Sequence, residues 1–89
     1  MNAQEMFEKL DFIQVSILNP ITKEEENIIA YETQDYYEQR YIFFYKENKT
    51  ITPFSSDFNY EQRPITLSVE LLKAITKQME ELKWLWNTK

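Results

Sequence analysis

The sequence predicts an α+β domain in the order α-β-β-β-β-α: an antiparallel meander sheet of four strands, with the N- and C-terminal helices packed on one face. Three observations lead there. Apolar residues recur at three- and four-residue spacings near the two ends of the chain, as in Met6, Phe7 and Leu10 or Leu72, Ile75 and Met79. The middle instead alternates with a period of two, or carries short apolar runs between polar turns. A length of 89 residues bounds a single domain, 1–89, with one modest core.

Asn2 followed by Glu5 has the spacing of a capping box, with Asn in place of the usual Ser or Thr. A short helix over residues 3–10 would bury Ala3, Met6, Phe7 and Leu10. Asp11 ends it, being one of the few non-glycine types that tolerate a left-handed turn. From Phe12 the period becomes two, and Ile13, Val15 and Ile17 alternate with Gln14 and Ser16 as one buried face of a strand. Asn19-Pro20 breaks that strand, and a second is expected over 27–33. A third follows over 40–46. Glu47-Asn48-Lys49 makes a tight turn in which Asn48 suits a positive φ. The fourth strand, 50–54, belongs at an edge because Pro53 cannot donate to a ladder. Residues 55–64 read as a loop held down by Phe58, Tyr60 and Pro64. Ser68 caps a closing helix, with Glu70 in its first turn and Leu72, Ile75, Met79, Leu82 and Trp86 as the apolar stripe. That stripe is expected to dock on the sheet of its own chain rather than to form a coiled coil.

Composition removes whole classes of chemistry. The sequence has no cysteine, no histidine and no glycine. Disulfides, thiolate metal sites, a cysteine nucleophile, the commonest general base and any Gly-rich phosphate loop are therefore excluded. Possible acid–base pairs are Asp35 with Glu38 and Asp57 with Glu61, both in solvated, turn-like stretches where neither pKa is separated from the other. The Glu24-Glu25-Glu26 run lacks the alternating ligands and the glycine of a calcium loop. No catalytic residue, cofactor or metal is expected. No apolar run approaches the ~20 residues of a membrane span, and the N-terminus shows no signal-peptide pattern, so a soluble cytoplasmic protein is expected. The net charge is −5. It divides into −7 over residues 1–62 and +2 over 63–89. Such an acidic body argues against direct binding of nucleic acid.

The run Tyr41-Ile42-Phe43-Phe44-Tyr45 carries the functional question, since alternate residues of a strand point to opposite faces. Ile42 and Phe44 have no hydroxyl to satisfy and should face the helices, alongside Ile13, Val15, Ile17 and Ile51. Tyr41, Phe43 and Tyr45 then face outward, with Tyr31, Thr50 and Thr52 placed beside them. Three large aromatics exceed what a monomer scatters on its surface. Either the 55–64 loop and the Tyr36-Tyr37 turn fold over them, or they form an interface with a second copy or another protein. Tyr31, Arg40, Tyr41, Phe43 and Tyr45 are the candidate interaction surface, Tyr and Arg being favoured anchors. A different reading makes the acidic body a mimic of a nucleic-acid backbone that inhibits a host DNA- or RNA-processing enzyme through Glu24, Glu25 and Glu26.

The segment LLKAITKQMEELKWL (71–85) resembles the closing helix of small uncharacterised proteins encoded by phages and prophages of Gram-positive bacteria. MFEKLDF (6–12) and IFFYKENKTI (42–51) resemble the opening and the central hairpin of the same group. Where that group commonly has glycine this chain has Asp11 and Lys83, and the positions matching Phe43 and Tyr45 are often polar there. The resemblance implies phage or prophage origin and an α+β fold, and it carries over no activity and no functional residues. The expected function is a non-enzymatic phage accessory protein acting through protein contact, with a homodimer as one form of that contact.

Overall fold

The first turn of the chain closes as its residues require. In the computed structural model, which describes residues 1–18, 20–24, 27–33, 38–57 and 61–84, the Asn2 side chain accepts from the Glu5 N–H at 2.8 Å. The Glu5 carboxylate accepts in return from the Asn2 N–H at 3.0 Å, completing the capping box of α1 (Ala3–Glu8). Asp11 ends the turn with φ 68°. The strands are β1 (Phe12–Val15), β2 (Ile28–Thr33), β3 (Glu38–Tyr45), β4 (Thr50–Asp57) and the two-residue β5 (Gln62–Arg63), followed by α2 (Val69–Glu81). They form one antiparallel sheet in sequence order, β1-β2-β3-β4-β5. The α+β meander with a helix at each end is therefore observed, with one strand more than expected.

That extra strand corrects the reading of 55–64 as a loop. β4 continues through Ser55 to Asp57, and Ser55 and Ser56 pair with Arg63 and Gln62. The polar composition suggested a loop, but Ser55 is buried and its hydroxyl reaches the Arg63 carbonyl, so its polar groups are satisfied within the pairing. β5 covers only that end of β4. The stretch around Pro53 thus keeps an edge with no described strand on it, as proline's missing donor requires.

Register decides which residues reach the core. Directly paired residues share a face, and Tyr31 lies opposite Ile42 while Ile29 lies opposite Phe44. Tyr31 is therefore on the helix-covered face, fully buried, which corrects its expected outward placement. Its ring stacks on Phe7 at 3.9 Å, and Phe7 in turn meets Phe12 and Phe44 edge-on at 5.9 and 6.1 Å. The phenol, which seemed to call for water, finds partners inside: it donates to the Gln78 Oε1 and accepts from the Gln14 Nε2 at 3.2 Å. Strand β1 is likewise reversed from expectation. Phe12 takes the core side and Gln14 serves Tyr31, so Ile13 and Val15, opposite Glu32 and Ala30, lie on the outer face.

The helix α2 starts as predicted, with the Ser68 hydroxyl accepting from the Leu71 N–H at 3.0 Å. Its buried side is Leu71, Ala74, Ile75 and Gln78, turned by roughly 70° from the expected stripe, so that Leu72 is 46% exposed. A glutamine among the buried residues is what the apolar pattern could not indicate; Tyr31 holds it there. Trp86 lies outside the described residues. At the end of α2, Lys83 takes φ 60°, with Lys83 N–H donating to the Glu80 carbonyl at 3.0 Å and Trp84 N–H to that of Met79 at 2.9 Å. These are the two bonds of a Schellman motif, built without glycine. Trp84 then packs back on Phe44. In the β3–β4 turn the positive φ falls on Lys49, at 57°, and not on Asn48. Finally, the Glu81 carboxylate accepts from the Ala3 N–H at 2.7 Å, tying the two helices together where the first turn of α1 has an unsatisfied donor.

Candidate interaction surface

Tyr41, Phe43 and Tyr45 alternate with Ile42 and Phe44 along β3, so they leave the sheet on the side away from both helices. Pairing with β4 places Phe54 opposite Tyr41, Thr52 opposite Phe43 and Thr50 opposite Tyr45. The result is a cluster of aromatic rings. Tyr41 and Phe54 stack at 4.9 Å, and Phe43 meets Phe54 edge-on at 5.3 Å. Phe43 also touches Tyr41 at 5.9 Å and Tyr45 at 6.1 Å, which makes it the centre of the group. Each of these rings is half-buried.

The apolar face continues across the sheet. Ala30 sits opposite Phe43, Ile28 opposite Tyr45 and Val15 opposite Ala30. Ile13, 43% exposed, ends the row on β1. Among the described residues the polar groups that pairing places on this side are Glu32, Gln39, Ser56, Gln62 and the two threonines. The Tyr41 hydroxyl donates to the Gln39 Oε1 at 2.6 Å, and burial first, then the charge of Glu32, raises its pKa above the ordinary tyrosine value. Such a surface offers ring faces, ring edges and a few hydroxyls. Among the described residues it shows no nucleophile paired with a base and no convergent donors for a developing charge.

Of the five residues singled out by sequence, the structure brings Tyr41, Phe43 and Tyr45 together. It does not bring Tyr31 or Arg40 to them. Arg40 follows the parity of Ile42, and its guanidinium lies 5.3 Å from the Phe12 ring centroid on the helix side of the sheet. Phe54, Ile13 and Val15 belong to the face and were missed. Phe54 carried a usable signal, since it continues the two-residue alternation of Thr50 and Thr52. The segments thought able to cover the rings, Tyr36-Tyr37 and Phe58 with Tyr60, lie outside the described residues.

Asp35, Glu25 and Glu26 lie outside the described residues, as does the Asp57 side chain, while Glu24, Glu38 and Glu61 are exposed. Among the described residues no group of three acidic, His or Cys side chains is placed to hold a metal ion, and no helix is long and apolar enough to cross a membrane. No family model matches the chain, and no curated protein or solved structure is significantly similar to it.

Proposed function

We propose that this is a cytoplasmic, non-enzymatic protein that works by protein contact through the outer face of its sheet, with a second copy of the chain as the partner. The phage or prophage accessory role implied by its short resembling segments is part of the same proposal. One observation carries the reading: a half-buried aromatic cluster centred on Phe43 stands on the sheet face opposite the helices, and the apolar row extends it as far as Ile13. A part-exposed apolar face of this kind, with Ala30 fully covered between Phe43 and Val15, marks contact surfaces.

A second copy is favoured by charge. The chain carries −5, yet the outward residues of β1 to β3 include Glu32 as the one full charge among Ile13, Val15, Ile28, Ala30, Tyr41, Phe43 and Tyr45. Two such faces can meet about 10 Å apart, as packed sheets do, without opposing rows of acids. Four strands at ~4.8 Å spacing and ~26 Å of length give a flat footprint on the order of 500 Å². That is smaller than the ~800 Å² per partner of a standard interface, so the association is weak and reversible, in the micromolar range.

Two-dimensional amide NMR on dilution tests this. Signals of Ile13, Phe43 and Phe54 should move between dilute and concentrated samples, and Phe43→Asp should abolish the movement while far-UV circular dichroism is retained. Shifts confined to the helices, or shifts that survive in Phe43→Asp, contradict the proposal.

A further inference from the structure

The other side of the molecule has a trough of its own. α1 and α2 lie side by side above the sheet, and on their solvent side two neighbouring hollows, about 400 and 170 Å³, share Met6 and Lys73 in their linings. Met6 of α1 and Leu10, just past the end of that helix, line it on one side, and Val69 and Leu72 of α2 on the other. Val69 is 62% exposed and Leu72 46%, although both sit on a helix that buries its other side. Along α2 the lining residues Val69, Leu72, Lys73, Thr76, Lys77 and Glu80 are each three or four residues from another of the set, as on one face of a helix. The trough therefore follows the helix for three turns, or ~16 Å. It is open and shallow, with no enclosed pocket for a small ligand.

Charge selects the occupant. Lys9, Lys73 and Lys77 stand along this trough in a protein whose net charge is −5. Lys77 is 3.9 Å from Glu80, whereas Lys9 and Lys73 have no ion-pair partner among the described residues. Glu70 is the remaining acid on the lining. We infer that the α1–α2 trough docks an acidic amphipathic helix of a partner protein. The apolar side of that helix lies on Met6, Leu10, Val69 and Leu72, and its carboxylates face Lys9 and Lys73. A helix laid between two others is the natural filling of a straight trough, its side chains at i, i+3 or i+4 and i+7 entering the groove. Methionine in the lining adapts to different side chains. This surface is separate from the aromatic face, so both can be occupied at once.

The test uses a fluorescent probe peptide of about four helical turns (~14 residues) with leucines at helical spacing and glutamates elsewhere, and a counterpart with lysines for glutamates. By anisotropy the acidic probe should bind the full chain with micromolar affinity and lose affinity as salt rises, and the basic probe should not bind. The double variant Lys9→Glu/Lys73→Glu should weaken the acidic probe about tenfold or more. Leu72→Ala, which alters no charge, should weaken it as well. Equal binding of the two probes, no binding of either, or unchanged affinity in the charge-reversed chain overturns the inference. So does binding to phosphatidylglycerol vesicles in place of the peptide, which would make the trough a lipid-facing surface.

Discussion

Tyr31→Phe removes one oxygen from the interior and leaves the ring behind. The stack on Phe7 at 3.9 Å and the edge contact with Phe44 remain, so the apolar burial is unchanged. What is lost is the donor to Gln78, a side chain that is 4% exposed and so has little access to water. Leaving such an acceptor unpaired costs about 1–3 kcal/mol. Gln14, by contrast, is exposed and its amide can turn to solvent, so its loss adds little. The expected destabilisation is about 1–2 kcal/mol, or a melting temperature lower by roughly 4–8 °C for each kcal/mol in a domain of this size. Urea unfolding followed by circular dichroism measures it. The double variant Tyr31→Phe/Gln78→Met removes both polar partners and should recover to within about 0.5 kcal/mol of the parent, because an apolar pair of similar shape has nothing left unsatisfied. A single variant as stable as the parent, or a double variant worse than the single, refutes the reasoning about this buried pair.

Burial pushes the Tyr31 pKa from 10.0 up to about 12; the hydrogen bond from Gln14 opposes this and the charges of Glu81 and Glu8 add to it. The folded state therefore resists ionisation there. The stability from keeping the phenol neutral is intact below pH ~10 and is lost as pH rises toward 12, by at most about 2.7 kcal/mol; Tyr31→Phe should flatten that part of the curve, and an unflattened curve contradicts the assignment. Lys83→Gly relieves a left-handed residue at φ 60° on an exposed side chain and should stabilise the fold by about 1 kcal/mol by thermal unfolding, with no gain counting against the Schellman geometry. Added salt should strengthen self-association, since it screens the repulsion between two bodies of −5 each; weakening would point to ionic contacts instead.

Much of the architecture was legible because local rules and packing agree. The capping box at Asn2, the left-handed Asp11, the Ser68 cap and the inward pair Ile42 and Phe44 each follow from spacing or alternation. What was not legible depended on pairing across distance. The side to which Tyr31 points is fixed by its register with Ile42, and it is made tolerable by a glutamine 47 residues away on α2. The same register turns Ile13 and Val15 outward, against the simple rule that isoleucine and valine face the core. On α2, the burial of Gln78 rotates the helix away from its apparent stripe. At the candidate surface, alternation found Tyr41, Phe43 and Tyr45 within one strand. It could not reveal that Arg40 belongs to the opposite side together with Phe12, nor that β1 lends the face its outermost isoleucine.

Sedimentation equilibrium of the unmodified protein, over a wide concentration range, tests the outer face as a self-docking surface most directly. The mass should climb from 10.9 kDa at low micromolar concentration toward twice that value, and Phe43→Asp should remain at 10.9 kDa throughout. A parent chain that stays at 10.9 kDa into the millimolar range contradicts the account.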